Sequence, residues 1–134
     1  MLGEQVGDVR GQQISTRVLP DEGRGPRMES TDQSLGTLCG EHITSTVTYV
    51  GTLRPNGTIE GLGTGMVMTD TGEAATYRGV GVGTFIRPGV TQWRGSLFFE
   101  TQSPKLSRLN GIATLFEYTV DEGGKSEGHF FEWK

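Results

Sequence analysis

The sequence predicts an all-β protein, a single small antiparallel barrel of about eight up-and-down strands. Three observations lead there. Glycine accounts for 22 of 134 residues while hydrophobic residues make up only 33%, and the glycines lie inside β-patterned stretches, as in a turn-rich β protein. Turn signals recur along the chain: PDEGRGP at Pro20 to Pro26, PNG at Pro55 to Gly57, DTG at Asp70 to Gly72, PG at Pro88-Gly89 and DEGG at Asp121 to Gly124. Between them run β-rich segments joined by short connections. A meander of this kind must split into a sandwich or close on itself, and sequential hairpins with no long crossover favour closure, which leaves no unpaired edge.

Taken in order, the strands are expected at 5–19, 27–38, 41–54, 58–69, 73–87, 91–102, 111–120 and 125–133. Only SPKLSRLNG, Ser103 to Gly111, departs from the β pattern. Pro104 stands at a first-turn position, Leu106 and Leu109 are three apart, and Asn110-Gly111 is a stop signal. One helical turn closing a barrel end fits these features. Residues 1–134 are read as one domain, because a split would leave pieces too small to bury a core.

The turns also set a register. If PNG and DTG are three-residue loops with glycine in the left-handed region, Arg54 pairs with Thr58 and Thr69 with Glu73. Tyr49 then faces Gly63, Gly63 faces Gly79, and Tyr77 faces Gly65. Treating PG as the centre of a type II turn in a three-residue loop pairs Arg87 with Thr91 and Phe85 with Trp93. On this register the odd positions from strand three to strand six share one face. They include Ile43, Val47, Tyr49, Val67, Tyr77, Phe85, Trp93, Leu97 and Phe99, with Gly61, Gly63, Gly65, Gly79, Gly81, Gly83 and Gly95. Aromatic rings over a floor of glycines let a sheet coil tightly and still fill a small barrel, so this face is placed inside. The even face carries Leu62, Met66, Met68, Val80, Val82 and Phe98. That is too apolar for a comfortable monomer, and burial against identical subunits, as a dimer or trimer, is the simplest resolution. The inverse arrangement stays open, with the Thr, Met and Arg face around a cavity and the aromatics in an interface.

Charge and motifs exclude several functions. Twelve basic residues against sixteen acidic ones give a net charge of -4, and the basic residues are scattered, so no stripe exists for nucleic acid. No apolar run approaches the roughly 18 residues of a spanning helix, and the start MLGEQVGDVRG has no signal-peptide pattern; a cytoplasmic protein without membrane partners is expected. Cys39 is the only cysteine, which rules out an internal disulfide and a thiolate cluster, and it reads as a small buried filler. The runs Gly61 to Gly65 and Gly79 to Gly83 spell GxGxG, but neither precedes a helix that could hold a phosphate. His42 and His129 have no metal-ligand spacing and no GxSxG elbow occurs, so neither a metal nor an organic cofactor is expected.

Charged residues between apolar strand positions remain, namely Arg78, Arg94, Glu100 and Glu117. A guanidinium and a carboxylate at the mouth of an apolar barrel could orient a ligand or move a proton. Outward, solvated cross-strand pairs are the plainer alternative.

The run Leu109-Asn110-Gly111-Ile112-Ala113 through Phe116-Glu117, with Asp121, Gly123-Gly124 and Gly128, resembles the closing hairpin of the allene oxide cyclase-like barrels. That calycin-type group also contains dirigent proteins and small bacterial domains of unknown function. The resemblance covers roughly residues 40–134 and implies an eight-stranded barrel, dimers or trimers, and an apolar cavity that works without a metal or organic cofactor. It puts Glu117 in the region that supplies a carboxylate to such barrels. The leading expectation is a binding module that holds a small lipophilic molecule, with Tyr49, Tyr77, Phe85, Trp93, Phe99, Arg94 and Glu117 as ligand-contacting residues. The alternatives are a cofactor-independent isomerase or cyclase using Glu117 or Arg94, and an oligomeric structural or stress protein without a ligand.

Overall fold

In the computed structural model, which describes residues 1–134, the eight strands are β1 (Leu2–Leu19), β2 (Arg27–Leu38), β3 (Glu41–Leu53), β4 (Ile59–Thr69), β5 (Ala74–Arg87), β6 (Val90–Thr101), β7 (Thr114–Val120) and β8 (Lys125–Trp133). Each pairs antiparallel with the next, and β1 pairs with β8 to close the barrel. The central stretch of β1, Gly7 to Gln12, is bonded on both edges, to β2 and to β8. A bulge after Gln13 leaves Ile14 exposed and lets the strand bend along the curved wall.

Turn chemistry sets most of the register. Gly57, Gly72 and Gly124 have φ of 85°, 85° and 81°. Each ends a three-residue loop in which the glycine N–H bonds back to the carbonyl of Arg54, Thr69 or Asp121 at 3.0 Å. Tyr49 accordingly faces Gly63, Gly63 faces Gly79, and Gly65 faces Tyr77. The Pro88-Gly89 hairpin corrects the expected register. Its loop has two residues, Arg87 pairs with Val90, and a bulge at Ile86 brings Phe85 opposite Thr91 and Gly83 opposite Trp93. A Pro-Gly type II turn does not match the twist of the flanking strands, and the extra residue on β5 absorbs the difference. At the Cys39-Gly40 turn both residues have positive φ, 51° and 80°, the geometry of a two-residue primed hairpin. Cys39 is therefore a half-buried turn residue that packs against the edge of the apolar core and is not fully enclosed by it.

The two faces separate cleanly. Along β3 to β6 the buried residues Ile43, Ser45, Ile59, Val67, Ala75, Tyr77, Trp93, Leu97 and Phe99 are odd-numbered, only Thr52 and Val90 at strand ends breaking the parity, while Leu62, Met66, Met68, Val80, Val82 and Phe98 are exposed. The glycine and aromatic face is inside, and the inverse arrangement is excluded. Across the interior runs a row of directly opposed glycines, Gly51–Gly61–Gly81–Gly95, one from each of four consecutive strands. Rings lie against this floor: a Cβ at Gly61 would stand 2.6 Å from Trp93, and one at Gly81 would stand 2.8 Å from Phe116. A Cβ at Gly65 would collide with the hydroxyl end of the Tyr77 ring. Glycine is required at these positions because another chain or ring already occupies the space a side chain would need.

One end of the barrel is plugged. The β6–β7 connection forms a 3-10 turn at Ser107–Gly111, and Leu106 and Leu109, both 0% exposed, join Val6, Val9, Leu38, Ile43, Val67, Tyr77, Leu97 and Phe99 in one apolar cluster. Strand β7 starts at Thr114, three residues later than the sequence suggests, because the plug extends through Gly111. Polar contacts fix the plug to the wall. Asn110 exchanges two hydrogen bonds of 2.9 Å with the Thr101 backbone, and Lys105 reaches Glu41 and Glu73 at 3.7 and 3.6 Å. Ser103 donates to the Glu73 carboxylate, which with Thr71 and Lys105 holds that carboxyl below the usual range.

Substituting Gly95→Ala should destabilise the barrel by about 1–3 kcal/mol in urea unfolding, because the new methyl would meet the backbone of Val80 and Gly81. Gly111→Ala, with nothing within 4 Å of its Cβ, should stay within about 0.5 kcal/mol of wild type. Equal losses at the two sites would contradict the close approach of β5 and β6.

Candidate functional site

Inside the barrel, on the far side of the plug, lies a partly enclosed cavity of about 90 Å³. Val9, Tyr77 and Leu97 belong both to the plug's apolar cluster and to the cavity lining; the packed plug is therefore the cavity floor. Much of one wall is bare backbone from Gly61, Gly63, Gly79 and Gly81, with the rings of Tyr49, Trp93, Phe116, Tyr118 and Phe130 around it. Tyr49 meets Trp93 and Tyr118 edge to face, at centroid distances of 5.6 and 6.1 Å. Such contacts fix ring positions without filling the space between them.

Strands β2 and β3 contribute a polar wall of Asp32, Ser34 and Ser45. Asp32 is 2% exposed. The Tyr118 hydroxyl donates to its Oδ2 at 3.0 Å, and the nearby Ser126 hydroxyl also favours the ionised carboxyl. Burial raises the pKa of Asp32, and the two hydroxyls only partly offset that effect. The phenols shift the same way. Tyr118 is pushed far up, first by burial and then by the charges of Tyr49 and Asp32. Tyr77 is pushed up to about 12 by burial, although Ser45 shares a hydrogen bond of 3.1 Å with it. Burial also raises Tyr49, whose oxygen accepts a hydrogen bond of 2.7 Å from Gln13. The site therefore offers protonated phenols as donors, one buried carboxyl as acceptor, and apolar surface elsewhere. No group of three or more His, Cys, Asp or Glu side chains converges to hold a metal ion.

Tyr49, Tyr77 and Trp93, all expected from the sequence, line this cavity. Phe99 is buried but sits in the plug cluster, 5.1 Å from Tyr77 between ring centroids, and supports the lining from behind. Phe85 lies two residues beyond Gly83, the last residue of β5 paired with β4, and is 53% exposed. Arg94 and Glu117 do not reach the cavity. They face each other across β6 and β7 on the outer surface, at 3.5 Å, with side chains 62% and 44% exposed. The inward positions of β7 are instead those of Phe116 and Tyr118.

Sequence reasoning missed Asp32, Tyr118, Phe116 and Phe130. A signal for the first existed. The two-residue Cys39-Gly40 turn pairs Leu38 with Glu41 and sets Asp32 opposite Val47, so carrying the register back through that turn puts the carboxyl on the inner face.

Comparison with known proteins bears on the fold. No family model matches the chain, and no curated protein is similar to it in sequence. Solved structures of the same shape exist. A protein of unknown function from Clostridium acetobutylicum superposes with a TM-score of 0.83 at 17% identity, over 96% of each chain. A beta-barrel like protein from Acinetobacter baumannii superposes with a TM-score of 0.79 at 14% identity, over 100% of this chain and 96% of the other. An enzyme from Penicillium herquei superposes with a TM-score of 0.65 at 15% identity, over 96% of this chain and 92% of its own. These likenesses establish the closed barrel. At such identities they carry no function with them.

The raised pKa of Asp32 makes a stability prediction. The folded state keeps this proton to a higher pH than the unfolded chain does, so the stability from this group is full below the unfolded pKa of about 3.9 and is lost as pH rises through the folded value. Asp32→Asn keeps an acceptor for Tyr118 and removes the ionisation. In urea unfolding between about pH 4 and 7, the variant should gain on wild type as pH rises. A gap that narrows with pH would show that Asp32 is stabilised as the anion.

Proposed function

We propose that this chain is a binding module that takes a small, largely apolar molecule into its barrel, as an allene oxide cyclase-like, calycin-type barrel without cyclase chemistry. The supporting observation is the cavity itself, a partly enclosed space between a glycine wall and fixed aromatic rings. Its small volume and open side suit one small ring or the end of a longer molecule that projects outward. A cyclase reading built on Arg94 and Glu117 loses its basis, because both side chains lie outside. The lone cysteine, with no disulfide partner, suits a reducing compartment such as the cytoplasm.

Native mass spectrometry after incubation with a lipophilic extract should reveal a bound small molecule. Val47→Phe, which projects a ring into the cavity, should abolish that binding and cost less than about 1 kcal/mol, because the ring fills empty space. A loss of about 1–3 kcal/mol together with no bound molecule in wild type would mean that the interior is already full.

The outer face supports self-association as part of the same reading. Leu62, Val80 and Phe98 are each more than half exposed, and Met66, Met68 and Val82 extend the patch across β4, β5 and β6. An apolar face of this kind suits a second copy of the chain. Arg78 and Glu100, on this same face, take part in none of the ion pairs within the chain. In a twofold dimer the arginine of each copy can meet the glutamate of the other, a self-complementary arrangement. Sedimentation should show a dimer for wild type and a monomer for the Val80→Lys, Phe98→Glu double variant. A monomeric wild type would refute the pairing.

A further inference from the structure

Resting on the binding reading above, we infer that the molecule held in the barrel carries a protonated amine, which Asp32 receives as its counter-charge on the cavity wall. Asp32 is 2% exposed and lines the cavity. Its hydrogen-bond partner in the chain is a neutral hydroxyl, that of Tyr118, and the second group beside it, the Ser126 hydroxyl, is neutral too. Every ion pair in the protein joins side chains that keep at least partial exposure, and none includes Asp32.

A buried carboxylate without a cation is expensive to keep. Hydroxyl donors satisfy its lone pairs but supply no charge. What the wall lacks is therefore a positive group, and beside an apolar, partly enclosed lining a cation is attracted to a carboxylate more strongly than in water. The remaining lining suits the same ligand, because Tyr49, Trp93 and Tyr118 present ring π systems that attract an organic ammonium group. Elsewhere on the lining, the bare backbone of Gly61, Gly63 and Gly79 leaves room for the hydrocarbon part. A neutral alcohol would duplicate the hydrogen bonds Asp32 already has; an amine adds the charge it does not have.

Three probes of one shape test this: cyclopentane, cyclopentanol and cyclopentylamine, each titrated at neutral pH by NMR. The amine should bind at least ten-fold more tightly than the alcohol. Asp32→Asn should remove that preference, and the dispersion of its amide NMR spectrum reports that the variant is folded. Independently of any variant, the carboxyl carbon of Asp32 in the wild-type protein should shift on addition of the amine and not of the alcohol. Equal affinity for amine and alcohol, with cyclopentane bound, would overturn the amine assignment while the cavity reading stands. Failure of all three probes to bind would overturn the cavity reading and this inference with it.

Discussion

The structure depends on how closely the inner surfaces of neighbouring strands approach. Where Gly51, Gly61, Gly81 and Gly95 meet across β3 to β6, the wall carries no side chains, and the sheet can coil into a narrow closed tube. Bare backbone would leave voids, and the rings of Trp93, Tyr77 and Phe116 cover it instead. The high glycine content and the modest hydrophobic fraction thus have one cause. Large rings cover the glycine wall, and the aliphatic side chains of Val6, Val9, Leu38, Ile43, Leu106 and Leu109 pack the plugged end.

Most of this architecture was legible because the turn residues act locally. PNG and DTG each contain a glycine at a fixed offset, and three such residues fix the pairing of the strands on both sides. The Pro88-Gly89 hairpin misled because the same dipeptide serves a two-residue or a three-residue loop, and the flanking sequence does not reveal which strand will bulge. That bulge left the parity of the faces intact, so the interior assignment survived the error. Phe85 was lost to it as a cavity residue: a strand's alternation tells which way a side chain points, but not where the neighbouring wall ends.

The cavity was harder to read for a different reason. Arg94 and Glu117 attracted attention as charges among apolar neighbours, a pattern equally produced by an outward cross-strand pair. Asp32 attracted none, because it sits among Ser, Thr and Gln in β2 and looks like any solvated strand residue. Its environment is made by Tyr118 and Ser126, each more than 80 positions away in sequence and brought near only by closure through β1 and β8. Long-range closure, not local propensity, turns an ordinary acidic residue into a buried one.

That closure has a kinetic side. Seven of the eight strand pairings join neighbours in sequence, and the eighth, between β1 and β8, joins residues as far apart as Leu2 and Trp133. The sequential pairings start from residues at most 17 positions apart, Leu97 and Thr114 across the plug, whereas the seam must bring together the two ends of the meander before any of its contacts are gained. The topology concentrates the entropic barrier to folding at this single seam. Until it forms, β1 and β8 present two long unpaired edges, the surfaces through which an incompletely folded barrel would pair with other copies of itself.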